Sequence, residues 1–185
     1  MKNINIAVLL FFALIAIPVS PARAQFYVFA DGDMTGEPAP ELTTECVRME
    51  NSGLWGSKAT WTEQDMAQYR DGSMAIVYFW ATWCPNCGDY LKNLNDSQAK
   101  FAEEGIKIMP VNIGDPKKQV ENYLKKHNIG MDIFLDAKGE LESAYQVYGV
   151  PTFYFISSNG KITAVRHRLP DDYHTLLKDQ STTDQ

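Results

Sequence analysis

Seven consecutive apolar residues, Met74 to Trp80, lead through a short turn into Trp83-Cys84-Pro85-Asn86-Cys87. An unbroken β-branched and aromatic run of this length reads as a strand buried on both faces, which needs a covering layer above and below the sheet. A helix is expected to open at Cys84, with Pro85 in its first position, where a missing N–H costs nothing. The helix should run to about Glu103, with Tyr90, Leu91, Leu94, Phe101 and Ala102 on a buried stripe and Gly105 just past its end. Two cysteines three apart at that point lie within one turn, so their sulfurs can close a small ring. Unsatisfied N–H groups at the helix start favour a thiolate on Cys84, while Cys87 lies one turn deeper and is shielded. Cys84 is thereby cast as the nucleophile that attacks a substrate disulfide, and Cys87 as the thiol that resolves the mixed disulfide. Half a zinc site or a structural disulfide are the alternatives. His127, His167 and His174 lie far downstream without metal-ligand spacing, so neither a metal nor a cofactor is assigned.

The flanking sequence alternates strand and helix patterns. A short helix is expected from a Thr62 cap to about Arg70, and a strand over Ile106 to Asn112. Asp115-Pro116 should cap a helix reaching His127, with Val120, Tyr123 and Leu124 facing inward. Another short strand spans Ile133 to Leu135. Leu141, Ala144, Tyr145 and Tyr148 recur at helical spacing before Gly149. Ser158-Asn159-Gly160 signals a hairpin between Thr152–Ile156 and Ile162–His167, and a last helix begins near Pro170. Together these give an α/β fold: a central mixed, mostly parallel sheet, helices on both faces and a C-terminal antiparallel hairpin. The expected division is 1–24 as a signal peptide, 25–58 as a loop-rich extension, 59–180 as the domain and 181–185 as a flexible tail.

The signal-peptide reading rests on Lys2, the apolar run Ile6 to Ile17 and the small-x-small site Ala22-Arg23-Ala24, punctuated by Pro18 and Pro21. That run is shorter than the roughly 18 apolar residues of a spanning helix. Cleavage after Ala24 is expected to release a soluble protein into the periplasm or another exported compartment, without stable membrane insertion; an uncleaved membrane anchor is the alternative. The net charge of −6 becomes −8 on loss of Lys2 and Arg23, which speaks against nucleic acid as a partner. In such a compartment disulfides persist. Of three cysteines, Cys46 stands apart. It reads either as a buried thiol packing like a small hydrophobe or as a thiol for intermolecular pairing or redox sensing.

The chain resembles the thioredoxin superfamily, and within it the exported TlpA/ResA-like (DsbE-like) branch. The resemblance is carried by Phe79-Trp80-Ala81-Thr82-Trp83-Cys84-x-x-Cys87, Val147-Tyr148-Gly149-Val150-Pro151-Thr152 and Asn159-Gly160-Lys161. Gly36-Glu37-Pro38-Ala39-Pro40 is similar to that branch's N-terminal signature, and residues 115–136 to its central insertion. The resemblance implies a thioredoxin-like fold and a cis Pro151 facing the cysteine pair, with the Val150 backbone free to pair with an extended substrate. Trp83, Pro85 and Asn86 would shape the site. It further implies a thiol:disulfide oxidoreductase, leaning toward reduction of protein disulfide or dithiol clients, including cytochrome c biogenesis, with a DsbD-like membrane electron donor. A DsbA-like oxidase and a non-catalytic copper- or thiol-binding protein are the alternatives. Ala81 stands where peroxiredoxin-like proteins have threonine, which disfavours peroxidase chemistry.

Three departures from the branch matter. Tyr78 occupies the place of a buried acid six residues before the first cysteine. Tyr90 occupies that of a glutamate three residues after the second. Pro85-Asn86 replaces a pair whose proline usually comes second. Proton handling for Cys87 is therefore open between Asp89, Tyr90 and water.

Overall fold

A computed structural model of the chain describes residues 34–51 and 56–178. The expected signal segment and C-terminal tail lie outside them. Seven strands and six helices follow in the order β1 (Thr43–Asn51), β2 (Ser57–Asp65), α1 (Met66–Arg70), β3 (Met74–Trp80), α2 (Cys87–Asp96), α3 (Gln98–Glu103), β4 (Ile106–Ile113), α4 (Lys117–His127), β5 (Ile133–Asp136), α5 (Glu140–Ala144), β6 (Thr152–Ile156), β7 (Ile162–Arg166) and α6 (Tyr173–Leu176). They form one sheet in the order β2-β1-β5-β4-β3-β6-β7.

β3, the apolar run read from sequence, is central and buried over nearly its whole length. Burial on both faces places helices on both sides of the sheet. Phe79 packs between Tyr145 and Tyr154, with ring centroids 5.1 and 5.6 Å away. The Tyr154 hydroxyl donates to the Tyr145 carbonyl at 2.5 Å, so a core phenol keeps its hydrogen bond. At the C-terminal hairpin, Gly160 takes φ +83°, a conformation that L side chains rarely adopt, and the Ser157 N–H donates to the Lys161 carbonyl.

The sheet is mixed, but parallel pairing is confined to β3–β4 and β4–β5; every other neighbouring pair is antiparallel. The balance shifts because the segment read as a loop-rich extension contributes β1 and β2. This hairpin joins the sheet where Glu45, Cys46 and Val47 pair with Leu135, Phe134 and Ile133. The expected boundary at 58/59 therefore falls inside β2. Thr62 is a strand residue opposite Cys46 rather than a helix cap. Asp65 caps α1 instead, its carboxylate accepting from the Gln68 N–H at 2.9 Å.

Other boundaries move for local reasons. The single helix expected from Cys84 begins at Cys87 and breaks at Ser97. At the break, the Gln98 side chain donates to the Asn95 carbonyl, competing with the backbone for that acceptor. Leu91, Leu94 and Phe101 are buried as expected, Tyr90 is half-buried and Ala102 is exposed. Pro116, not Asp115, is the N-cap of α4, whose Val120 and Leu124 are buried while Tyr123 is half-buried. α5 is short and Gln146 follows it with φ +52°, so Tyr148 is exposed rather than part of a helix face. Among the described residues no helix is long and apolar enough to cross a membrane.

Candidate redox site

At the C-terminal end of β3 the chain turns from Ala81 to Cys87 through two backbone bonds, Cys84 N–H to the Ala81 carbonyl and Cys87 N–H to the Cys84 carbonyl. Cys84 and Cys87 are joined as a disulfide with S–S 2.03 Å. Cys84 thus precedes the first helical residue instead of opening the helix. It remains in the zone where the free N–H groups of α2 point. Its exposure is 7% against 0% for Cys87, which matches an outer sulfur and a shielded inner one. Trp83 projects beside Cys84 with 65% exposure, whereas Trp80 is wholly buried. Pro85 and Asn86 are exposed in the turn between the cysteines.

β6 enters the sheet beside β3 with Thr152 opposite Phe79. The preceding Val150–Pro151 bond is cis, and it lies at the same end of the sheet as the disulfide. Val150 is half-buried. His167, read from sequence only as a downstream histidine, reaches this turn. Its Nδ1 lies 3.1 Å from the Pro151 carbonyl and 3.2 Å from Thr152 Oγ1. The register gives a route to this contact: Arg166 pairs with Phe153, so the next residue arrives opposite Thr152.

The two tyrosines at the departing positions both border the site. Tyr78 is wholly buried and donates its hydroxyl to the Cys87 carbonyl at 2.9 Å. Burial first, then the neighbouring Tyr123 and Tyr90, push its phenol well above the usual range. It holds its proton and anchors the inner cysteine's backbone. Tyr90 packs edge-on to Phe153 and Tyr78, and Asp89 is exposed. Tyr123 reaches over from α4: a Cβ on Gly88 would lie 2.5 Å from its hydroxyl, so only glycine fits there without displacing it. By its spacing Tyr123 is a helix-face residue, and nothing in that spacing points to Gly88.

One buried carboxylate was read only as a helix cap. Asp115, 3% exposed, binds the turn before Cys84 through the Thr82 backbone N–H at 2.7 Å and the Thr82 hydroxyl at 2.9 Å. The spacing Asn112-x-x-Asp115-x-x-x-Gln119 was its only signal, since both amides also donate to it.

A model of the AhpC/TSA family matches residues 35–165. The chain belongs to that family. It is 30% identical over 103 residues to the thiol-disulfide oxidoreductase ResA of Geobacillus thermodenitrificans, covering 56% of this chain and 59% of that protein. ResA of Bacillus subtilis is 28% identical over 117 residues, covering 60% and 65%. The chain thus spans less than two thirds of each relative. Its fold is thioredoxin-like: a thioredoxin-family thiol:disulfide interchange protein from Chlorobium tepidum superposes with a TM-score of 0.58 at 24% identity, covering 80% of this chain and 97% of that one.

Cys46 lies away from this family site, on β1 between β2 and β5. It is buried and unpaired beside the Arg48–Asp132 ion pair, in which Arg48 Nε donates to Asp132 at 2.6 Å. Burial, then the Asp132 charge, push its thiol up to about 12. This favours the packing reading over the sensing one, since the thiolate is the reactive form. A thiol raised from about 9 contributes stability that is complete below pH 9 and lost as pH rises toward 12. Between pH 8 and 10 the wild type should lose about 1 kcal/mol more than Cys46→Ala, read from urea unfolding. Parallel losses in both proteins would contradict this.

Proposed function

We propose that the protein is an exported thiol–disulfide oxidoreductase that reduces disulfides in client proteins through Cys84 and Cys87. The observation that carries this reading is a cysteine pair with one more exposed and one fully buried member, at the same end of the sheet as the cis Val150–Pro151 turn. The names of the ResA relatives support the same chemistry.

In the forward step the Cys84 thiolate attacks a client disulfide, forming a mixed disulfide and releasing one client thiolate, which takes a proton from water. Cys87 gives its proton to water and attacks the Cys84 sulfur, expelling the second client thiolate, which takes up a proton in turn. Two electrons pass to the client, and the Cys84–Cys87 disulfide is left. Trp83 offers an apolar platform beside the attacking sulfur, and Val150 a backbone for an extended client segment. Regeneration calls for electrons from outside the exported compartment, delivered to the Cys84–Cys87 disulfide by a membrane dithiol donor, of which a DsbD-like protein is the fitting class. Client reduction for cytochrome c maturation is one use of this chemistry.

Equilibration with glutathione tests the direction. A potential near that of thioredoxin, roughly −270 mV, is expected for a reductase; one near the DsbA end, roughly −120 mV, would establish the oxidase reading instead. Stoichiometric copper binding without activity on an insulin disulfide would overturn both.

A further inference from the structure

The geometry assigns Asp115 as the positioning residue of the redox turn. This rests on the reading of Cys84–Cys87 as an exchange centre. Four donors converge on one buried carboxylate. The Thr82 N–H and Asn112 Nδ2 donate to Oδ2 at 2.7 and 2.9 Å, and the Thr82 hydroxyl and Gln119 Nε2 donate to Oδ1 at 2.9 and 2.8 Å. Gln119 also donates to the Thr82 hydroxyl oxygen at 2.5 Å. Both oxygens therefore act only as acceptors, as an ionised carboxylate does, and all four donors are neutral. β4, through Asn112, and the first turn of α4, through Gln119, thus grip a segment that ends two residues before Cys84. A helix cap alone would not require this arrangement, and Pro116 already fills the cap position.

Two consequences for the exchange centre share a sign. Clamping Thr82 fixes the outer cysteine relative to the inner one, raising the effective concentration of one sulfur at the other and favouring the disulfide. A negative charge hydrogen-bonded to the backbone two residues before Cys84 disfavours the Cys84 thiolate and hence the reduced form. Loosening the clamp or removing the charge moves the equilibrium toward the dithiol.

The test equilibrates purified wild type, Asp115→Asn and Thr82→Val with glutathione, measures the Cys84 thiolate fraction against pH in the reduced proteins, and records urea unfolding. Asp115→Asn is expected to favour the reduced form about tenfold and to lower the pH at which the Cys84 thiolate forms. Thr82→Val, which keeps the charge, should shift the equilibrium about threefold with little change in thiolate formation. A purely architectural role would lower the unfolding midpoint of both variants and leave equilibrium and thiolate titration within twofold of wild type. That result overturns the assignment. If Asp115→Asn does not fold, Thr82→Val and Gln119→Ala decide by the same equilibrium, since each removes only outer bonds. A wild type that does not equilibrate with glutathione at all would instead overturn the exchange reading itself.

Discussion

Replacing Cys87 with serine is expected to turn the protein into a trap, with clients held on Cys84 as mixed disulfides that survive non-reducing electrophoresis. The outer sulfur keeps its access, and the inner one, which is fully buried, is the only thiol poised to release it. Oriented intramolecular groups reach effective concentrations of about 10⁵ M and above, so release by millimolar external thiols should be slower by at least about 10³-fold. Turnover on an insulin disulfide should fall by a similar factor, while the first attack persists as a single-turnover burst. Cys84→Ser should abolish both burst and trapping. Cys46 gives no bypass, being buried with its thiol pushed up to about 12. Trapping expressed in the native compartment also identifies the clients. Equal trapping by Cys84→Ser, or no trapped species with Cys87→Ser, would remove the interchange mechanism.

The sequence carried this site because its chemistry is local. Cys84, Cys87 and the apolar run before them are contiguous, and strand-to-helix punctuation reads without knowledge of the rest. The C-terminal hairpin was equally legible, since Ser158-Asn159-Gly160 states its own turn, although the register shift between Phe155 and Ile156 has no mark in the sequence. What escaped reading is non-local or unpatterned. β1 and β2 carry Thr, Glu, Arg and Lys among their apolar residues and form an edge of the sheet, so neither a continuous apolar run nor clean alternation marks them. Asp115 looked like a cap because aspartate before Pro-Lys commonly is one; its real partners include Thr82, which lies 33 residues earlier. Tyr78 was noticed as a missing acid, but the hydrogen bond its hydroxyl makes to Cys87 follows from how α2 packs over β3, which no spacing rule supplies.

The same division between local chemistry and collective packing predicts where substitution does most damage to the fold. Phe79→Ala is expected to destabilise the protein by about 3–5 kcal/mol, the range for truncating a buried phenylalanine. Phe79 is wholly buried between Tyr145 and Tyr154, and its backbone pairs with both Val111 and Thr152, so the sheet on either side resists collapse into the space left. Against total stabilities of about 5–15 kcal/mol this is a large fraction. Trp83→Ala provides the contrast. An exposed indole at the site should change stability by about 0.5 kcal/mol or less, while slowing attack on clients that dock beside Cys84. Urea unfolding of the three proteins, with unchanged m-values, reads the first difference, and insulin reduction reads the second. If Phe79→Ala cost under 1 kcal/mol, β3 would not be the rigid base of the redox turn. If Trp83→Ala cost as much as Phe79→Ala, Trp83 would belong to the core and not to the client surface.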